Sequence, residues 1–361
     1  MKKILIYGLS NMYGGVEAFI LNYVNHLPEN KYTVELIIMN RTPQYLGEKL
    51  KREVKIHYVP ERIKNPLGYN CRVNEIVKKG NYDILWCNFC TLSDITWLKA
   101  AKKYGIPVRI AHSHNSENMG SKLVLISHLQ HKKAISKYVT HFFACSDVGK
   151  FMFGDNIVKQ NNYCLINNAI ETDKYSYNEN IRMKTRLDLK ISDKIVITNV
   201  GRFHFQKNHS FLVNVFSEFY KKYPTSVLLL IGDGELMEEV KNQVKKLGLT
   251  DCVMFLGNRG DVDRLMQAAD LLLMPSRFEG LPVSAIEAQA SGLPCLFSDT
   301  ITTQVKITES VKFESLEAPL EKWVEDMEEL LKEHRKDTRV QIISAGYDIE
   351  ENAEHIFERF L

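Results

Sequence analysis

"LLLMPSRFEGLPVSAIEAQASGLPCLFSD", residues 271–299, compresses a strand, a loop, a helix and a second strand into one short stretch. The run "LLLM" predicts a buried strand ending near Met274. "PSRFEG" has loop composition, and Pro282 fits the first turn of a helix continuing through Gln289, because its fixed φ suits that turn and its missing N–H is not needed there. Such a loop delivers free backbone N–H groups at a positive helix end, where phosphate oxygens bind without a side chain. Gly280 lets them approach closely. Glu279 precedes the helix and Glu287 lies almost two turns inside it, so the two carboxylates cannot form a close acid–base pair. They suit hydroxyls at opposite ends of one elongated ligand.

The same punctuation recurs on either side. "KKILIYG", "TVELIIM", "VKIHYV", "DILWCNF", "PVRIAHS", "HFFACS" and "YCLINNA" alternate with amphipathic segments through the first half. Strands alternating with helices imply a parallel sheet covered on both faces. Residues 176–193, "SYNENIRMKTRLDLKISD", are polar and charged, and from Lys194 the pattern restarts with "KIVITNVG", "SVLLLIG", "CVMFLG", "LLLMPS" and "PCLFSD". The expected architecture is α/β, with two Rossmann-like doubly wound parallel-sheet domains over 1–180 and 190–344. The helical, acidic C-terminal stretch, about 345–361, is expected to pack back on the first. Ligands on such sheets bind at the carboxyl ends of the strands, so two facing sheets would hold the site in a cleft between them. A diphosphate with a sugar at either end, a nucleotide sugar, matches two glutamates set around an anion-binding helix start.

A chain of 361 residues, 45% hydrophobic and 25% charged, is long enough for two such cores. Its seven cysteines (71, 87, 90, 145, 164, 252 and 295) are odd in number and mostly lie in strand-like runs, which suits buried thiols in a reducing, cytoplasmic compartment. "CNFC", Cys87 to Cys90, has no second pair at zinc-site spacing and reads as packing. "MKKILIYG" turns at once into a strand and a glycine, and no apolar run reaches the ~18 residues that spanning needs. A soluble or membrane-peripheral protein is expected, with no nucleic-acid partner. The net charge of +3 conceals an imbalance: residues 1–180 hold 24 Lys+Arg against 15 Asp+Glu, and the remainder 23 against 29. The basic half is expected to face something anionic, a phosphorylated substrate or a lipid surface.

The block "MPSRFEGLPVSAIEAQASGLPCLFSD" resembles the glutamate, seven residues, glutamate signature of the retaining glycosyltransferases of family GT4, which have the two-domain GT-B fold. The similarity extends along nearly the whole chain and is nearest to bacterial capsular and exopolysaccharide glycosyltransferases. The resemblance implies that Glu279 holds the donor sugar's hydroxyls, that Gly280, Leu281 and Pro282 line its phosphates, and that Glu287 binds the ribose. UDP is the donor base it favours, and the acceptor it implies is a saccharide, free or linked to undecaprenyl diphosphate. "VGRFHFQKN" supplies Arg202 and Lys207, two cations placed to neutralise a departing diphosphate. His204 and His209 beside them read as loop or packing residues. "FLGNRGDV" brings Asn258 and Arg259 to the base pocket.

In the first half, "YGLSNMYGGVEAF" is not GxGxxG, which argues against a dinucleotide oxidoreductase. The resemblance makes it the glycine loop near donor phosphates and acceptor: Gly15 on the donor side, Gly14 and Glu17 on the acceptor side. "RIAHSHNSEN" ends a buried strand with two polar rings where functional groups are expected. Aligned with the family strand, His112 serves the reacting centre and His114 shapes the acceptor side. Gly232 and Gly234 in "LLLIGDGEL" are expected to shape the second sheet's site. "DVD", Asp261 to Asp263, matches a metal-binding DxD in form, but it opens "RLMQAAD" and reads as helix-capping acids, so neither a metal nor another cofactor is expected. Residues 121–139, "SKLVLISHLQHKKAISKYV", form a basic helical pattern open to two readings, an anionic membrane face or packing on its own domain. The rivals to a transferase are a GT-B-like epimerase or phosphorylase, and a catalytically silent partner that binds nucleotide sugar or lipid.

Overall fold

The structure, a computed structural model, describes residues 1–114, 121–145, 149–358 and 360. Residues 115–118 of "RIAHSHNSEN", and 359 and 361 of the expected C-terminal helix, lie outside them. The chain forms two compact units, Met1–Ala169 with Ile349–Leu361, and Ile170–Asp348.

The first unit is built on seven parallel strands: β1 Lys2–Tyr7, β2 Tyr32–Met39, β3 Lys55–Val59, β4 Ile84–Phe89, β5 Val108–Ser113, β6 His141–Ala144 and β7 Tyr163–Leu165. Their order is β3-β2-β1-β4-β5-β6-β7. The near-continuous apolar runs are accounted for by burial on both faces: Ile4 and Ile6 of β1 enter one core and Leu5 the other. The second unit has six: β8 Ile195–Val200, β9 Ser226–Ile231, β10 Val253–Gly257, β11 Leu271–Met274, β12 Cys295–Ser298 and β13 Val311–Glu314. Their order is β10-β9-β8-β11-β12-β13, again all parallel. In both sheets the order reverses beside the first strand, between β1 and β4 and between β8 and β11. In open parallel sheets such a reversal, at the carboxyl ends of the two strands, is where ligands bind.

The chain passes between units at 169–170, earlier than the polar stretch 176–193 suggests. Those polar residues are ligands rather than linker. Arg182 and Arg186, on the helix Glu179–Asp188, both reach Asp270 ahead of β11, at 2.5 and 3.3 Å, and so bind the helix to the second unit. The last residues return to the first unit, where the Phe357 ring meets Trp86 edge-on at 5.4 Å and Lys31 pairs with Glu354 and Glu358. Among the described residues no helix is long and apolar enough to cross a membrane, and all seven cysteines are free.

Candidate active site

The carboxyl ends of β8 and β11 carry most of the second unit's candidate residues. After β8 the chain runs through Gly201 and Arg202 into a short 3-10 turn, Phe205–Lys207, and after β11 through the loop 275–282. The two segments are zipped together: Arg277 N donates to Gln206 O at 2.7 Å, and Gln206 Nε2 donates to Phe278 O and to Glu279 Oε2 at 2.9 and 3.0 Å. Lys207 Nζ lies 2.6 Å from the other carboxylate oxygen, Oε1, with the two side chains 16% and 7% exposed. Lys207 reaches it by laying its stem along Gly201, where a Cβ would stand 3.0 Å from Lys207 Cε. Gly232, after β9, has φ +136°, and a Cβ there would stand 2.1 Å from Gly201 O. It therefore shapes these strand ends by close backbone approach.

The helix after the loop spans Val283–Ala290, one residue later than expected, because Pro282 is its N-cap with extended φ and ψ. Proline has no side-chain acceptor, and no side chain caps this end. Val283 and Ser284 are left with N–H groups that a helix cannot satisfy internally, beside the exposed Gly280 and half-buried Leu281. This is the free, positive helix end expected for a phosphate. Inside the helix, Glu287 Oε1 accepts the Tyr175 hydroxyl at 2.6 Å. Burial raises the Glu287 pKa, while the Tyr175 hydrogen bond and Lys174 oppose that shift.

Arg202 is not drawn into the Lys207–Glu279 pair. Its Nη2 meets Glu235 Oε2 at 3.0 Å, and with the two side chains 72% and 49% exposed the contact is a surface ion pair. The Arg259 guanidinium holds both oxygens of Asp261 at 2.8 and 2.6 Å, next to the exposed Asn258. Of the acids of "DVD", Asp261 stands at the N-cap of Val262–Ala268 and Asp263 in its first turn, as read, but Asp261 makes no side-chain cap, since its carboxylate is taken by Arg259. His204 accepts Gln206 N and so caps the 3-10 turn. His209 stacks on Phe203 at 4.1 Å, and burial, with Lys207 nearby, pushes its pKa down to about 4.

In the first unit Gly14 is the extended N-cap of Gly15–His26. A Cβ on Gly15 would meet open space. Glu17, 6% exposed, faces inward and accepts Ser10 N at 3.0 Å, so it organises the glycine loop.

His112 and His114 belong to a relay of neutral hydrogen bonds whose directions assign their protons. Trp86 Nε1 donates to His112 Nδ1 at 3.3 Å, so His112 carries its proton on Nε2 and offers it to Cys145 Sγ at 3.4 Å. The Asn88 amide donates to Tyr7 O, so its Oδ1 accepts from His114 Nε2 at 2.9 Å. His114 Nδ1 is thereby left to accept the Cys145 thiol proton at 3.3 Å. The two rings stack at 4.3 Å, and His112 is fully buried. Burial holds His112 far below the ordinary histidine value and His114 at about 3, and it raises the Cys145 thiol. All four ring nitrogens are engaged in this arrangement. His112, His114 and Cys145 place three potential metal-ligand atoms within 4.8 Å of one another. The relay engages the ring nitrogens and the thiol of these same three residues.

Tyr175 and Gln206 escaped sequence reasoning. Gln206 adjoins Lys207 in "FHFQKN" and could have been found there. Tyr175 lies 112 residues from its partner and carries no local signal.

Two family profiles match the chain, Glycosyltransferase Family 4 over residues 13–174 and Glycosyl transferases group 1 over 182–348. The putative glycosyltransferase EpsF of Bacillus subtilis is 30% identical over 369 residues, which covers 97% of this chain and 94% of EpsF. The UDP-Gal:alpha-D-GlcNAc-diphosphoundecaprenol alpha-1,3-galactosyltransferase of Escherichia coli is 26% identical, covering 82% and 79%. Among solved structures, Anabaena HepE in complex with UDP superposes with a TM-score of 0.79 at 18% identity over 99% of both chains. The sucrose-phosphate synthase of Thermosynechococcus elongatus does so with a TM-score of 0.76 at 15% identity, covering 100% and 98%. With the site geometry and both profiles in agreement, the chain belongs to the GT4-type glycosyltransferases and has their GT-B fold.

Proposed function

We propose that this glycosyltransferase is a retaining, metal-independent hexosyltransferase. It moves a sugar from a UDP-sugar to a polysaccharide or lipid-diphosphate-linked saccharide in capsule or exopolysaccharide synthesis, at the cytoplasmic face of the membrane. The observation that carries this reading is the uncapped start of Val283–Ala290 beside the Lys207–Glu279 pair. It is supported by relatives named for exopolysaccharide and diphosphoundecaprenol-linked substrates and by the UDP and UDP-glucose complexes of HepE.

In this mechanism the donor diphosphate rests on the Val283 and Ser284 amides, with Gly280, Leu281 and Pro282 along its flank. Arg202 leaves Glu235 and joins Lys207 at the leaving group, where preorganised charge stabilises the transition state most. Glu279 orients the sugar hydroxyls, Glu287 with Tyr175 takes the ribose, and Asn258 and Arg259 flank the base. Of the first unit's residues, the family resemblance assigns Gly15 to the donor phosphates, Gly14, Glu17 and His114 to the acceptor, and His112, a neutral and fixed ring, to the reaction. The anomeric carbon–oxygen bond to the diphosphate breaks, the acceptor hydroxyl bonds on the same face, and its proton passes to the departing diphosphate. The test is a thermal-shift screen of nucleotide sugars, followed by transfer with and without EDTA. UDP-sugars should raise the melting temperature and transfer should survive chelation. Donor hydrolysis or epimerisation without an acceptor, or binding with no turnover, would favour the rival readings.

A further inference from the structure

The helix Lys122–Ala134 is inverted relative to an ordinary amphipathic helix. Its polar side chains hold it to the first unit. His128, 2% exposed, accepts Leu92 N at 3.2 Å through Nδ1, and His131 Nδ1 donates to Leu92 O at 2.7 Å. Ser127 Oγ donates to Ser93 O at 3.1 Å, and Lys132 Nζ donates to Phe151 O at 2.5 Å. Three of its apolar side chains point outward, Leu123 at 77% exposed, Ile126 at 53% and Leu129 at 48%, while Val124 and Leu125 are half-buried. At helical spacing Lys122, Ile126, Leu129 and Lys133 form a single exposed stripe, two apolar residues bracketed by two cations. Packing on its own domain therefore does not account for the apolar pattern.

A neighbouring loop is tied to the same backbone: Arg62 Nη2 donates to Ser93 O at 3.4 Å, the carbonyl that also takes Ser127. In that loop Ile63 is 93% exposed. Single exposed apolar residues are ordinary, but three on one face of one helix mark an interaction surface. The acidic side chains nearby, Glu61 and Asp94, are already bound to Lys64 and Arg62. Lys122 and Lys133 have no carboxylate partner among the described residues, and the half of the chain that carries them is basic.

We infer that this face docks on an anionic lipid bilayer, with Leu123, Ile126 and Leu129 entering the acyl boundary and Lys122 and Lys133 among the headgroups. The inference deepens the proposed function and rests on it only in that a lipid-carried acceptor gives the surface its use. The test is co-sedimentation of the full chain with vesicles of phosphatidylcholine alone or mixed with phosphatidylglycerol, in parallel with UDP thermal shifts. The wild type should bind the anionic vesicles about tenfold or more tightly than the neutral ones, at roughly 1 kcal/mol per lysine near the surface. The double variants Ile126→Glu/Leu129→Glu and Lys122→Glu/Lys133→Glu should each lose tenfold or more of that binding, with melting temperature and UDP shift unchanged. Equal binding to both vesicles, variants that sediment like the wild type, or a wild type that ignores vesicles and self-associates would overturn it. A missing UDP shift in the wild type would instead count against the proposed donor and leave the vesicle result standing.

Discussion

Lys207 Nζ and Glu279 Oε1 lie 2.6 Å apart, joining two loops that leave neighbouring strands of the second sheet. Each charge is largely out of water and depends on the other. Lys207→Ala should therefore destabilise the protein by about 3 kcal/mol, since removing one partner strands the other. Glu279→Ala should cost a similar amount. The double variant should recover part of the loss, a coupling that urea unfolding of all four proteins measures directly.

Arg202 contrasts with Lys207 because its ion pair with Glu235 is exposed. Such pairs contribute about 0–1 kcal/mol. Arg202→Ala should melt with the wild type yet lose about 10²–10³ in turnover, the cost of removing one donor to the leaving group. Glu235→Gln should leave turnover intact or raise it by freeing the guanidinium. Steady-state kinetics beside a thermal melt separate the two effects.

Gly232, after β9, and Gly15, at the start of the first helix, are not equivalent. Gly232→Ala forces a Cβ to 2.1 Å from Gly201 O at a left-handed φ, so it should cost several kcal/mol or abolish soluble expression. Gly15→Ala meets open space and should fold normally. Any rise in donor KM in that variant then reports a ligand passing over Gly15.

Tyr175 donates to Glu287 and so opposes the rise that burial imposes on its pKa. Tyr175→Phe removes that opposition. The Glu287 pKa should rise further, and the acid limb of UDP binding should move to higher pH. Titration calorimetry across pH 5–8 reads the shift, roughly 1.4 kcal/mol per unit.

Three rings largely withdrawn from water make stability pH-dependent. His112, His114 and His209 are neutral when folded, with pKa values held below the ordinary value near 6.5 by burial. The unfolded chain binds these protons first, so the stability is fully present above about pH 6.5 and is lost as pH falls toward the folded values, about 4 for His209 and about 3 for His114. Each ring should contribute a slope of about 1.4 kcal/mol per pH unit within its window. Urea midpoints at pH 7.5, 6 and 5 test this, and His209→Phe should flatten the profile by one ring's share.

Features carried by neighbours in sequence were legible in it. The strand, loop and helix of 271–299 announce themselves through apolar runs and one proline, and the alternation of strands with helices made both sheets readable. Features that need two distant loops were not. Arg202 seemed a free cation until Glu235 arrived from the β9 loop, and Asp261 seemed a helix cap until Arg259 closed over it. His112 seemed open because nothing in "RIAHS" discloses that Trp86 and Cys145 come from flanking strands. Residues 121–139 show apolar spacing but not which face turns inward, because that depends on backbone groups of Leu92 and Ser93.

The most direct measurement is a crystal structure of the protein soaked with UDP-glucose. The diphosphate should lie within hydrogen-bonding distance of the Val283 and Ser284 amides and of Lys207, with the sugar hydroxyls on Glu279 and the ribose on Glu287. A nucleotide bound elsewhere, or one whose phosphates avoid that helix start, would contradict the mechanism.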